Sequence, residues 1–485
     1  MAEVAGQEKA WSAAGGTYSL PISPLVRPLA SAYEKDMKKT SMIILEARSL
    51  LILGLPLVGS QVAQFAVHTT DTLMLGWYSV LALAQVTLGA QVCFIAFIAT
   101  SGFAFAILPM VAKSMAEDDS QSARRATRMG LWVSTLAAAL LLLPMWYARP
   151  LLEAMGQDPT VAQGAQDYLR IAGFGLWPAL WGLVLRSYLS ALEHAGIVLW
   201  VSLFVLMANA LINYALIFGN WGLPELGLQG AAIASVMAQT LALLGFVVYI
   251  QLYFPEQQMF ARFWRFDGSA ALAVTRLAVP ISATALAESG LFAASAFMMG
   301  WLGHLELAAH GIVLQLVALS FMVHMGLSQA GTVRAGKAFA RQDRPSVRRT
   351  ACVTMGLSSV AAIVAIFFFL TTPQLLISAF LDPKDPLTAE ILRIGTLLLI
   401  LAALFQFVDA AQVVALSLLR GLQDTKVPMW IAAISYWLIG LPISYILGFW
   451  FGFQEAGIWI GLVVGLGLAA LLLWLRFYQL AGRGA

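Results

Sequence analysis

Three carboxylates stand inside long apolar stretches of the chain: Asp71, Glu288 and Asp409. Asp409 follows Leu404-Phe405-Gln406-Phe407-Val408, and Glu288 lies eight residues past Pro280, in Ala283-Thr284-Ala285-Leu286-Ala287-Glu288-Ser289-Gly290. An ionised carboxylate within a membrane-length apolar helix is costly unless it faces a protein-lined cavity and holds a cation or a proton. If the helices carrying Glu288 and Asp409 are neighbours, two like charges share a low-dielectric site, and a proton or monovalent cation between them relieves the repulsion. Reversible binding of such a cation is the chemistry these residues can do. The bland alternative, two carboxylates kept for structure alone, has to account for burying both.

In the first half of the sequence Asp71 follows Thr69-Thr70, with His68 three residues earlier on the same helical face. His68 alone reads more readily as a packed or hydrogen-bonded histidine than as a proton relay. The chain has three asparagines, and two of them, Asn209 and Asn213, stand four apart and so on one face. They could coordinate or hydrogen-bond toward Asp71, or simply bond between helices. Parts for other chemistry are missing. There is no HExxH, G-x-S-x-G or CxxC, and Gly331-Thr332-Val333-Arg334-Ala335-Gly336-Lys337-Ala338 only imitates a phosphate-binding loop, because Ala338 stands where magnesium needs a hydroxyl. An enzyme is not expected, nor a cofactor beyond a coupling Na+ or H+. Cys93 and Cys352 fall in or beside apolar stretches and read as small core residues rather than a disulfide.

The elements that position these groups are transmembrane helices. Of 485 residues 60% are hydrophobic and 11% charged, against roughly 25% charged in soluble domains, and the mean hydropathy is +0.82. Windows long enough to cross the hydrocarbon core, about 20 residues, recur at 50–76, 80–108, 128–148, 165–190, 196–218, 228–252, 271–300, 306–333, 350–372, 390–418, 428–449 and 455–480. Runs this long exclude a barrel of alternating strands, so the expected fold is an all-α membrane protein of twelve helices. Residues 1–48 read as a partly disordered cytoplasmic tail with an interfacial helix from Ser31 to Arg48, and not as a signal peptide. With both ends placed in the cytoplasm, all of the 28 Lys and Arg except Arg149, Arg170, Lys384 and Arg393 fall on that side, as the positive-inside rule requires. A multi-pass inner-membrane protein follows. The net charge of +3 is spread over loops and predicts no nucleic-acid partner. Trp77, Trp146, Trp301 and Trp450 sit near span ends and read as interfacial anchors.

Residues 53–125 align without a gap on residues 277–349, an offset of 224. Leu53-Gly54-Leu55-Pro56 matches Leu277-Ala278-Val279-Pro280, and Lys113, Asp119, Arg124 and Arg125 match Lys337, Asp343, Arg348 and Arg349. The offset covers six helices, an even number, so the halves share one orientation about an axis along the membrane normal. Two bundles of this kind can rock about a central cavity. The expected division is an N-lobe over 49–262 and a C-lobe over 263–485. The acids do not repeat: Asp71 aligns with Ser295, and Glu288 with Gln64. Pro56, Pro178, Pro280 and Pro442 are expected to interrupt spans and free carbonyls. Phe292, Met298, Met299, Phe405 and Phe407 suit a cavity for flat amphiphilic cations. Gln64, Gln315 and Gln412 join Phe292 and Met298 as expected substrate contacts.

At these residues the sequence resembles the multidrug and toxic compound extrusion (MATE) family in its NorM-like branch. The marks are Asp71-Thr72-Leu73-Met74-Leu75-Gly76, Pro224-Glu225-Leu226-Gly227, the run from Pro280 to Glu288, Leu307-Ala308-Ala309-His310, Asp409-Ala410-Ala411-Gln412-Val413-Val414 and Leu419-Arg420-Gly421-Leu422-Gln423-Asp424. The resemblance implies a V-shaped pair of pseudo-symmetric six-helix lobes that exchange a drug for Na+ or H+ by alternating access. It implies cation binding at Glu288 and Asp409, with the ring of Phe405 one turn before Asp409, and a first-lobe site of Asp71, Asn209 and Asn213. Two departures stand out: Phe405 replaces a frequent Tyr, and Gly311 a frequent Gln. The partners implied are small amphiphilic cations and the bilayer, and a monomer is expected. The alternative within the superfamily is a flippase for lipid-linked precursors or polysaccharides, which needs a more cationic cavity than these acids make. An intramembrane enzyme or a passive channel lacks its constellation or its pore ring.

Overall fold

The computed structural model describes residues 27–381 and 386–482, all of them helix, turn or loop, with no strand among them. Residues 1–26 of the expected tail, and Lys384, lie outside the described residues. Among the described residues twelve helices are long and apolar enough to span a membrane: α1 Thr40–Tyr78, α2 Leu81–Ala116, α3 Ser120–Trp146, α4 Pro159–Ala191, α5 Ala195–Phe218, α6 Gly227–Tyr253, α7 Gly268–Leu302, α8 His304–Ala340, α9 Arg344–Thr371, α10 Thr388–Gly421, α11 Lys426–Trp450 and α12 Gln454–Gly482. Each expected span lies within one of them or overlaps it closely. The chain packs as two units, Met1–Glu46 and Ala47–Ala485. The helix expected from Ser31 to Arg48 falls within a longer one, Arg27–Tyr78.

Several helices outrun their apolar windows because their first turns are polar and capped. The Asp119 carboxylate accepts from the Ser122 N–H (2.9 Å) at the start of α3, and Asp343 accepts from the Ser346 N–H (3.1 Å) at the start of α9. These two caps are repeat partners. Asp267 does the same for α7, accepting from the Ala270 N–H (3.1 Å) and the Ser269 hydroxyl (2.7 Å), and its other oxygen takes Arg125 of α3 at 2.7 Å from Nε. Ser269, then the Ala270 N–H, then Arg125 hold the Asp267 carboxyl down from 3.8 to about 2. A depressed carboxylate stabilises the fold above its ordinary value, and loses that contribution as pH falls from about 4 through about 2. Asp267→Ala is therefore expected to lower the melting temperature at pH 7, by a loss of about 1 kcal/mol for a cap. Thermal scans from pH 7 to pH 2 check this, since the difference from wild type should vanish at the acid end.

The prolines act less uniformly than expected. Pro56 and Pro280 lie inside helices that continue past them, and each ring leaves the carbonyl four residues earlier without its backbone donor. Pro178 follows a single 3-10 turn at Gly173–Gly175 inside α4. Pro442 of α11 sits between two stretches of wide π-turns, Ile434–Gly440 and Ile446–Trp450. Wide turns of this type re-aim side chains and gather at functional sites. The backbone of α11 is pressed onto α12 through small residues: a Cβ on Gly465 would meet the Gly440 Cα at 2.9 Å, and one on Gly461 would meet the Ser444 Cα at 2.5 Å. Without a hydrophobic drive in lipid, such close backbone packing is what joins membrane helices.

The loops 117–119, 192–194, 254–267, 341–343 and 422–425 define one end of the bundle, the basic end. The two halves meet there. A single apolar core runs from Leu50, Ile107 and Val184 of the first half into Val274, Ile281 and Val333 of the second. Another core, with Met74, Leu75, Leu169 and Ile217, stays within the first half, and one with Leu291, Phe405, Trp459 and Leu462 stays within the second. Two close crossings lie in the seam. Gly102 of α2 donates its N–H to the Ser282 hydroxyl of α7 (3.2 Å), and Gly326 of α8 lies against Val58 of α1. Adding the offset of 224 turns Gly102 into Gly326, and Val58 into Ser282, so the crossings are pseudo-symmetric mates. Lys337 of α8 also pairs with Glu193 across the seam (2.7 Å). The imitation phosphate loop lies within α8, where Gly336 lets the Gly421 carbonyl of α10 approach and Lys337 serves that ion pair.

Candidate functional site

In the first half α1, α5 and α6 converge on Asp71. Asn213 donates its Nδ2 to Asp71 Oδ1 (2.5 Å) and to Asn209 Oδ1 (3.2 Å), while the Ser235 hydroxyl donates to Asp71 Oδ2 (3.0 Å). Both asparagines are fully buried, and Asn213 Oδ1 has no protein partner. A free carbonyl oxygen beside a carboxylate is an oxygen cradle suited to a small cation. The i, i+4 spacing thus identifies the right amides. Ser235 escaped sequence reasoning, since one serine in Ala231-Ala232-Ile233-Ala234-Ser235 carries no signal. Thr69, Thr70 and Thr72 turn their hydroxyls onto their own helix. His68 is exposed and within electrostatic range of Asp71. Asp71→Asn is expected to weaken cation binding here on the order of 100-fold, and Ser235→Ala only about threefold, because it removes one neutral hydrogen bond of about 1 kcal/mol. Cation titration of the purified protein separates the two.

The second half builds its site from α7, α8, α10, α11 and α12. Asp409 is 2% exposed and its Oδ2 has no protein partner. Glu288, half-buried on α7, is near enough for the two charges to interact, and Arg420 at the end of α10 faces Glu288 in the same way. Tyr436, in the wide turns of α11, lies within reach of all three charges, and its hydroxyl accepts from Gln412 Nε2 at 2.8 Å. Trp437 beside it donates to the Ala287 carbonyl of α7 (3.1 Å). Glu288 and Asp409 thus lie within electrostatic range of each other.

One turn from each acid lies an aromatic cluster. Phe405 stands edge-on to Phe292 (6.0 Å) and to Trp459 (5.8 Å). Trp459 donates Nε1–H to His310 Nδ1 (3.1 Å), and Ser295 donates its hydroxyl to the Phe292 carbonyl (2.7 Å). An indole N–H only donates, so His310 carries its proton on Nε2, toward Ser295 Oγ (3.4 Å). Where the first half places Asp71, the second has a neutral Ser-His-Trp chain. That is the asymmetry the repeat foretold. The residues expected to touch substrate separate: Gln64 and Gln315 are exposed and Phe292 is half-buried, whereas Met298 and Gln412 are enclosed in the core. Gln412 cannot line an open vestibule in this conformation, because its amide is committed to Tyr436.

The family model MatE matches residues 56–215 and 280–446. The chain belongs to the MatE family. The two matched stretches start at Pro56 and Pro280, the repeat partners, so the family's own unit is the half-bundle. Among curated MATE relatives, the probable multidrug resistance protein NorM of Agrobacterium fabrum is 43% identical over 439 residues, covering 90% of this chain and 94% of that protein. The protein of the same name from Rhizobium meliloti is 44% identical over 439 residues, with the same coverage. The fold is that of a eukaryotic MATE transporter, AtDTX14, with a TM-score of 0.80 at 19% identity over 91% of this chain and 98% of that one. It is equally that of a multidrug resistance MATE transporter of the MOP superfamily described as outward-facing, with a TM-score of 0.81 at 16% identity over 91% and 97%.

Proposed function

We propose that this MATE-family chain is a secondary antiporter that expels cationic, amphiphilic small molecules in exchange for Na+ or H+. It is a multidrug efflux transporter and not an enzyme. The observation that carries the coupling is Asp409, a carboxylate sealed in the second-half core with one oxygen unmatched and Glu288 beside it. A charge left in that state is tolerable only where a cation comes and goes. Cation and drug compete for the acids, and their different affinities for the two conformations couple the flows. The seam at the basic end makes this conformer the one closed on that side. By the positive-inside rule that side is cytoplasmic, both termini face it, and the protein works as a monomer in the inner membrane. Ethidium efflux from energised vesicles, with sodium and pH gradients imposed separately, tests the proposal. Efflux should follow at least one gradient, and efflux indifferent to both would sink it.

A further inference from the structure

We propose that Gln412 is a ligand of the coupling cation in the second half, and that its carbonyl oxygen is what lets the site take Na+ in preference to H+. The inference rests on the reading of Glu288 and Asp409 as the coupling site. Gln412 lies three residues after Asp409, so the two side chains leave α10 on one face. Both are enclosed, and each ends in an oxygen without a protein partner, Asp409 Oδ2 and Gln412 Oε1. Buried acceptors left bare on neighbouring side chains demand an occupant. The direction of the Gln412 carbonyl is fixed from behind. Its Nε2 donates to the Tyr436 hydroxyl (2.8 Å), and Tyr436 is itself fully buried where α11 widens into π-turns. Tyr436 also lies within electrostatic reach of Asp409 and Glu288, so the amide it holds borders the same acid cluster.

Charge decides the class of ligand. With both acids ionised, Glu288 and Asp409 contribute two negative charges, and Arg420, which interacts electrostatically with Glu288, contributes one positive. The cluster is left with one net negative charge, which a single monovalent cation balances. Its donors are carboxylate and amide oxygens, the ligands of a hard ion. A proton bonds covalently to one carboxylate oxygen and gives the Gln412 carbonyl a single hydrogen bond, so it needs no more than one such acceptor. A dehydrated Na+ needs several oxygens to replace its water. Gln412 therefore separates the two ions, with Tyr436 as a positioning residue behind it.

The test measures Na+ affinity by 22Na+ binding to the purified full-length protein carrying Asp71→Asn, which silences the first-half site, together with sodium-driven and proton-driven ethidium efflux in vesicles without that change. Gln412→Leu should raise the Na+ Kd tenfold or more, and lower sodium-driven efflux at least fivefold more than proton-driven efflux. Gln412→Met serves if the leucine variant misfolds. Tyr436→Phe, which frees the amide to turn, should raise the Na+ Kd about threefold with the same bias. An unchanged Na+ Kd in both Gln412 variants, an equal loss of the two efflux modes, or no Na+ binding by the Asp71→Asn parent overturns the proposal. Asp409→Asn, run alongside, separates the failures: if it abolishes Na+ binding while the Gln412 variants do not, only the role of Gln412 falls. If it too leaves binding intact, the coupling site itself is misplaced.

Discussion

Asp409→Asn is expected to abolish cation-driven efflux and at the same time to leave the protein as stable as the wild type, or more so. The substitution keeps shape and removes charge. In the resting structure the Asp409 carboxylate is enclosed, with Oδ2 unmatched, so its charge opposes folding by several kcal/mol unless an ion attends it. Removing that charge relieves the fold and deprives the ion of its main ligand. A loss of cation affinity on the order of 100-fold corresponds to about 2.7 kcal/mol. Glu288→Gln should lose efflux as fully but behave oppositely in stability, because Arg420 has Glu288 as its facing acid and would be left a half-buried cation without one. The measurement is a pair: efflux in vesicles and melting temperature in the absence of added sodium. Undiminished transport in either variant would remove the coupling assignment, and equal destabilisation by both would mean that the carboxylates serve the fold.

Much of this was legible in the sequence because burying charge in oil is so unfavourable that each acid inside a span has to mean something. Asp71, Glu288 and Asp409 announce themselves, and the spacing of Asn209 and Asn213 turns two rare residues into one face. Hydropathy likewise locates the twelve spans. It understates their length, since the capped first turns of α3 and α9 are polar and leave no apolar trace. What stayed hidden are the groups whose residue types are ordinary in a membrane helix. Ser235 is one serine among alanines, Tyr436 looks like another aromatic, and Arg420 looks like an ordinary basic residue in the last turn of a helix. Their roles depend on which helices are neighbours and on the widened turns of α11, in which Tyr436 is buried, and neither follows from a local pattern. Gln412 shows the limit in the other direction. It is polar in a span and so was expected at the substrate, whereas the fold encloses it.

Gly326→Val is expected to open the basic end and to reduce efflux by tenfold or more, although the residue touches neither ion nor drug. A Cβ at Gly326 would fall 2.5 Å from both the N and the Cα of Val58, backbone atoms that cannot turn aside. At the mate crossing, a Cβ on Gly102 would fall 2.4 Å from the Ala278 carbonyl oxygen and 2.7 Å from the Ser282 N. Either substitution must push its helices apart by about 1 Å, an overpacking of about 1–3 kcal/mol. That penalty applies only where the crossing is closed. In a transporter whose halves separate at this end during the cycle, it is a shift in population toward the opened state, of roughly 5- to 150-fold. The shift is readable in a background lacking Cys93 and Cys352, with a single cysteine placed at Ser282. Maleimide labelling from the basic end should accelerate in Gly326→Val, at a crossing the substitution does not touch, because the two crossings open together as one rigid seam. Gly102→Ala should reproduce the effect on a cysteine at Val58. Acceleration confined to the substituted crossing would show two independent contacts, and the rocking of two rigid halves about this seam would then be the wrong description of the cycle.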